Sequence, residues 1–263
     1  MQPHTLYIYL TTSELFLAKE EHGETPHLEL VHREISPQTP FAKVLGDALI
    51  AKNALHTDIK NVRIFVDSPI ALIPMAEFSE ETFRTYYDYC IPSENEKHIF
   101  CDPLPAANAM LVFSVPENIY MTLKDKFENV HFSSSITHLA GYFIKRNTFK
   151  DTPKRMLVSL MEGTVDIIVV EAGRLLAINS FETGAESDVL YYTFSIASKL
   201  GLSVEADTIY IVGPSSRRES VIEEMKKFAR NIGVLELPEN VSKYDLSDED
   251  DLPFNLITAL AET

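Results

Sequence analysis

The segment Gly213-Pro214-Ser215-Ser216-Arg217-Arg218 follows an apolar run, Thr208 to Val212, and precedes an amphipathic stripe beginning at Val221. A glycine lets a ligand approach the backbone, and a helix N-terminus offers free N–H groups. Two hydroxyls and two guanidinium groups beside them would suit a phosphate. The ordinary use of the same residue types is a helix start with basic side chains in water. Thr11-Thr12-Ser13 lies between two strand-like runs. Its hydroxyls could donate to a ligand, or they could form a polar hairpin turn. Gly184-Ala185 stands before a further helix. Cys90, His98, Cys101 and Asp102 are of metal-ligating types. Their spacing fits no ligand signature, and no metal is expected. The 8 His are scattered, with no HExxH pair, no GxSxG elbow and no GxxxxGK[ST] loop. Glu171, Glu182 and Glu186 place carboxylates near turns, but sequence cannot give them a catalytic geometry, and no catalytic residue is assigned.

The elements that must position these residues come in two similar series. Leu6 to Thr11 alternates with period two, Leu15 to Lys19 pairs with it across a turn, and Leu28 to Ile35 follows the turn at His22-Gly23-Glu24. Phe41, Val44, Leu45, Ala48, Leu49 and Leu55 fall at helical spacing, with Thr39 as a cap and Pro40 at the first position. Val62 to Val66 reads as a buried strand. The second series repeats the order. Met156 to Leu160, Val165 to Val170 and Leu175 to Phe181 are strands, and Val189 to Leu200 is a helix closed by Gly201. Thr208 to Val212 is a strand, Val221 to Ile232 a helix and Val234 to Leu237 a last strand. Between the series lie a helix opening at Ser79, a strand from Ala109 to Val115 and a helix after Pro116. A short strand from Val130 to Phe132 and a helix from Ser133 onwards complete this segment. In the first of these helices Phe83, Tyr86, Tyr87 and Tyr89 cannot all face one core, so some of them are interaction candidates. Polar residues Asn147 to Lys154 mark a boundary, Ser247 to Asp251 is an acidic loop, and Leu252 to Leu260 is a closing helix.

A chain of 263 residues that is 45% hydrophobic and 24% charged can bury the cores of two domains. The net charge of −16 repels nucleic acid and anionic lipid, which both attract basic patches. The 9 Gly and 2 Cys weigh against several glycine-rich phosphate loops and against a disulfide framework. No signal-peptide pattern opens the chain and no apolar run reaches membrane-span length, so a cytoplasmic protein without direct membrane insertion is expected.

Three strands, helix, strand, helix, strand, used twice, is the order of the actin-like ATPase superfamily with its ribonuclease H-like domains. The segment Val62 to Pro69, then Ile73-Pro74-Met75 and Ser79-Glu80-Glu81, resembles the entry to the inserted subdomain of the PilM and GspL scaffold proteins. The strand Met110 to Val115 and the helix Ser133 to Arg146 continue the parallel. The chain also looks like an uncharacterised bacterial family described as having an actin-like ATPase fold. The resemblance implies an α/β fold of duplicated βββαβαβ domains. The first spans 1–148, with an inserted α/β subdomain at about 69–147. The second spans 149–263, with a C-terminal segment returning toward the first.

The superfamily holds ATP and Mg²⁺ with Asp-x-Gly at each first turn. Here Tyr9 and Ser159 stand near the Asp positions, and Thr11 and Met161 near the Gly positions. Thr11, Thr12, Gly184, Gly213 and Ser215 are what the resemblance leaves as remnants of a nucleotide cleft. The implied function is a non-catalytic scaffold or interaction module that needs no cofactor and engages a protein or a second copy of itself. The alternative is an atypical ATP-binding switch or a weak ATPase or kinase-like enzyme using ATP and Mg²⁺.

Overall fold

The computed structural model describes residues 4–21, 27–51, 59–146, 154–237 and 252–261. The turn at Gly23, the stripe residue Leu55, the boundary at 147–153 and the acidic loop lie outside the described residues. The chain forms two compact units. One comprises Met1–Pro103 and Met110–Thr137; the other comprises Leu104–Ala109, His138–Val241 and Leu246–Thr263.

In the first unit β1 (His4–Leu10), β2 (Glu14–Glu21) and β3 (His27–Glu34) are followed by α1 (Phe41–Ile50) and β4 (Ile59–Val66). With β8 (Asn129–Ser134) they build a five-stranded sheet in the order β3-β2-β1-β4-β8. β1 and β2 pair antiparallel, whereas β1–β4 and β4–β8 are parallel. A parallel neighbour needs a crossover; α1 lies in the first of those connections, and α3 (Glu117–Lys126) is the last helix of the second. Both faces of β1 are covered, since Leu6, Ile8 and Leu10 alternate with Tyr7 and Tyr9 and all five are buried. α1 buries Phe41, Val44, Leu45, Ala48 and Leu49, one stripe of an amphipathic helix. Pro40 stands at its N-cap without a side-chain hydrogen bond, so Thr39 does not cap it.

Between β4 and α3 the chain adds β5 (Ala71–Pro74), α2 (Phe83–Cys90), β6 (Lys97–Leu104) and β7 (Ala109–Pro116), a small sheet in the order β5-β7-β6. The segment at about 69–147 therefore supplies both this sheet and the fifth strand of the main one. α2 starts at Phe83, four residues after the expected cap Ser79, because a turn of Ser79–Thr82 precedes it. Phe83 and Tyr87 are buried with Ala71, Ile73 and Val112. Tyr86 and Tyr89 are 44% and 88% exposed, so the four aromatics divide between core and surface.

The second unit repeats the topology. β9 (Lys154–Met161), β10 (Thr164–Glu171), β11 (Arg174–Glu182), α5 (Glu186–Lys199), β12 (Thr208–Val212), α6 (Ser215–Met225) and β13 (Asn231–Val234) give the order β11-β10-β9-β12-β13. β9 and β10 are buried at nearly every position, which is why they read as continuous apolar runs. Gly201, at φ 64°, ends α5 with hydrogen bonds from its own N–H to Ser198 and from Leu202 N–H to Ala197. α6 ends seven residues earlier than its apolar stripe suggests. Phe228 N–H turns back to the Met225 carbonyl, which leaves the Phe228 ring exposed. The last strand accordingly begins at Asn231, not Val234. α4 (Ser135–Lys145) belongs to this unit from His138 on, and its Phe143 ring meets Tyr210 edge-on at 6.1 Å. α7 (Phe254–Ala261) buries every residue from Phe254 to Leu260.

Candidate functional site

In the first unit the candidate positions gather at the C-terminal ends of β1 and β4. Ligands of open α/β sheets bind at this end of the strands. Tyr9 is 0% exposed, and its ring lies 6.0 Å from Phe16 in the core. A side chain so placed cannot reach a metal-bound water. Thr11 Oγ1 accepts from the N–H groups of Ser13 at 3.2 Å and Glu14 at 2.9 Å, and Thr11 N–H donates to the Glu14 carbonyl at 3.0 Å. The hydroxyl is thus the acceptor that shapes the hairpin turn. Thr12 is exposed. Both threonines line a cavity of about 560 Å³ that also takes in Gln38, Asp67, Ser68 and Asn118.

The equivalent turn of the second unit follows β9. Ser159 and Asp166 are cross-strand neighbours of β9 and β10. Asn255 of α7 reaches both. Its Oδ1 accepts from Ser159 Oγ at 3.1 Å, and its Nδ2 donates to Asp166 Oδ2 at 3.3 Å and to Met161 Sδ at 3.3 Å. Asp166 Oδ1 accepts from Ser180 Oγ at 2.5 Å. Burial raises the Asp166 carboxyl to about 6, against the opposing effect of the Ser180 and Asn255 hydrogen bonds. An acid is therefore present beside the second turn. It sits on β10, points inward and is held by protein donors.

Two further turns of this unit carry the other candidates. Gly184 and Ala185 donate their N–H groups to Asp188 Oδ2 at 2.8 and 3.0 Å. The donors that would suit a phosphate serve a carboxylate of the chain itself. Gly213 has φ 134°, and a Cβ there would lie 2.7 Å from both Cβ and the carbonyl oxygen of Leu160. Glycine is required at 213 because β9 passes against it. Ser215 is the first residue of α6 and is half-buried, and Pro214 at the N-cap provides no side-chain hydrogen bond. Arg217 donates to the Met161 carbonyl and, at 3.3 Å, to Thr183 Oγ1. Arg218 donates to the Gly213 carbonyl at 3.2 Å. Arg217 thus links the ends of β9 and β11, and Arg218 the Gly213 turn to α6, while Thr11 and Thr12 belong to the first unit.

Asp102 and its metal-ligating neighbours disperse. Asp102 Oδ2 accepts from Ser133 Oγ at 2.7 Å, Ser134 N–H at 2.7 Å and Thr137 Oγ1 at 3.1 Å, a carboxylate at the start of α4. His98 stacks on Tyr120 at 3.6 Å, and Cys90 is exposed. Among the described residues no three His, Cys, Asp or Glu side chains group as metal ligands, and no helix is long and apolar enough to cross a membrane.

Sequence reasoning missed Asp166 and Asn255. The signal was a polar residue flanked by large apolar ones, Val165-Asp166-Ile167 and Phe254-Asn255-Leu256. A buried polar group of that kind is expected to find a hydrogen-bonding partner.

No curated protein matches the chain. A protein of Bacteroides thetaiotaomicron with an actin-like ATPase fold and unknown function superposes with a TM-score of 0.80. The two share 21% identity, and 95% of each chain is covered. The PilM–PilN type IV pilus biogenesis complex matches with a TM-score of 0.63 and 13% identity over 98% of this chain and 96% of that one. These likenesses establish an actin-like ATPase fold. Residues 25–232 match the family described as protein of unknown function (DUF3822), and the chain belongs to that family.

Proposed function

We propose that this protein is a non-catalytic interaction module of the cytoplasm, built on the actin-like fold and engaging a protein or a second copy of itself. The observation that carries the reading is Asn255. It takes up Ser159, Met161 and Asp166 together, the residues beside which a phosphate and its metal would have to lie. Buried Tyr9 and the contact of Gly213 with Leu160 support it from two other positions. On this reading Thr11, Thr12, Gly184, Gly213 and Ser215 are remnants of a nucleotide cleft retained for turns and packing. A structural neighbour in complex with a protein, PilM with PilN, supports a protein as the ligand. The net charge of −16 favours a soluble, nucleic-acid-free setting.

Calorimetric titration of the purified chain with ATP, with and without Mg²⁺, tests the reading. The expected result is no binding heat and no thermal shift. Stoichiometric Mg²⁺-dependent binding that Ser215→Ala weakens would overturn it and establish a nucleotide switch.

A further inference from the structure

The cavity of about 560 Å³ at the C-terminal ends of β1 and β4 lies wholly within the first unit. Open α/β sheets take their ligands at this end, and the volume suits a small organic molecule. Leu10, Ile35, Phe41, Val66 and Ile119 give the walls apolar surface. The polar parts of the walls are held in place by the chain. Asp67 N–H donates to the Leu10 carbonyl at 2.8 Å, which fixes the residue after β4 beside the end of β1. Ser68, Pro69 and Ser114 form the wall next to the inserted sheet. Tyr87, 0% exposed, donates its O–H to the Pro69 carbonyl at 2.7 Å and meets Ser114 Oγ at 3.0 Å. Ser114 N–H in turn donates to Ser68 Oγ at 3.4 Å. Tyr87 belongs to the core of the insertion, so this wall is fixed to that core. A cavity shaped in advance binds without the cost of ordering its walls.

The walls are rich in acceptors and poor in donors. Pro37, Pro40, Pro69 and Pro116 line the cavity, and proline has a carbonyl but no N–H. Among the described lining residues there is no lysine, arginine or histidine, and Asp67 is the one side chain that carries a charge at neutral pH. A phosphate or a carboxylate ligand would meet a like charge there and no counter-charge. A primary ammonium suits the same walls, because it brings a positive charge, three N–H donors and no acceptor. A carboxylate offers about four acceptor positions, so Asp67 can receive such a donor beside the contacts it makes within the chain. The geometry points to a binding site for a small primary amine with an apolar body. Its ammonium group lies against Asp67 and its body on the apolar surface of Phe41 and Ile119. The inference goes beyond the reading of the protein as an interaction module, which stands or falls on nucleotide binding.

Amide NMR spectra of the full chain, titrated at neutral pH, supply the test. Salt at about 0.15 M screens the general attraction of cations to a chain of net charge −16. Phenethylamine and hexylamine are the probes, and hydrocinnamate and heptanoate are their carboxylate counterparts of similar size. The amines are expected to bind with a dissociation constant of about 1 mM and to shift the Thr12, Ser68 and Asn118 amides. The carboxylates are expected to bind at least about tenfold more weakly. Asp67→Asn keeps the shape of the side chain, removes its charge and is expected to weaken amine binding about tenfold. Asn118 is an exposed lining residue, and Asn118→Trp is expected to abolish binding by filling the cavity. The comparison of amines with carboxylates uses the unaltered chain, so it stands even if Asp67→Asn impairs folding. No shift with either amine up to about 20 mM would overturn the inference. So would equal binding of amines and carboxylates, shifts spread away from the three amides, or amine binding indifferent to Asn118→Trp.

Discussion

At the end of β1, Thr11 turns its hydroxyl onto N–H groups two and three residues away. At the end of β9, Ser159 reaches Asn255, 96 residues further along the chain. The two turns hold equivalent places in one repeated topology. The first is closed locally, by a hairpin that would form in any short β-ribbon. The second is closed by a buried polar network that exists only after α7 has docked. A locally closed turn can change residue by residue at small cost. A network closure ties several positions to one another, so losing one member leaves the others desolvated without partners.

The largest effect in this comparison is expected at Gly213. Its φ of 134° disfavours any side chain, and an added Cβ meets the Leu160 backbone, which cannot give way as a flexible side chain would. Gly213→Ala should lower the unfolding free energy by about 3 kcal/mol or more. Urea denaturation measures it. An effect below about 1 kcal/mol would mean that β9 is not held against the Gly213 turn as described.

Asp166 makes the second turn sensitive to pH, and the first has no counterpart among the groups with a resolved shift. Its folded-state pKa of about 6 lies above the ordinary carboxylate value, so the folded chain keeps the proton to higher pH than the unfolded chain. The stabilisation is complete below about pH 4, falls as pH rises through about 6, and is gone above that. Over the window the change amounts to roughly 3 kcal/mol. Asp166→Asn should remove this part of the pH dependence. Thermal melts between about pH 4 and pH 7 would show a flatter profile for the variant. Equal slopes for the two proteins would mean that Asp166 ionises as freely as in water.

Asn255→Ala strips Ser159, Met161 and Asp166 of their shared partner and leaves a small void in α7's buried face. A loss of about 2 kcal/mol is expected in urea titration. The variant also removes a hydrogen bond that holds the Asp166 pKa down, so the pH window should move upward. A variant as stable as the parent would mean that the closure of the second turn is no stronger than that of the first.

The same contrast explains what could be read from the sequence. β1, β9 and β10 were legible because apolar runs and period-two alternation are local signals. The repeated strand order was legible because it is a series of such signals. β6 was not, since Lys97, His98, Asp102 and Pro103 break its pattern and Asp102 takes donors from β8 and α4. Gly213 read as an opening for phosphate because a glycine is marked by what it permits. What requires it here is Leu160, more than fifty positions away. Thr11 could be read as a turn former, which it is. Asn255 could not be paired with Ser159, because a helix at the end of the chain carries no local trace of the strand it packs against.

The smallest expected effect completes the comparison. Thr11→Val keeps the β-branched shape of the side chain and removes Oγ1, so the Ser13 and Glu14 N–H groups lose their acceptor. The turn is near the surface, Thr12 beside it is exposed, and water can replace the lost acceptor in part. A loss of about 1 kcal/mol is therefore expected, measurable as a shift of the urea midpoint. The double variant with Asn255→Ala should be additive, because the two closures share no residue. A loss at Thr11 equal to that at Asn255 would mean that the first hairpin is itself a cooperative closure, with the cavity beside Asp67 depending on it.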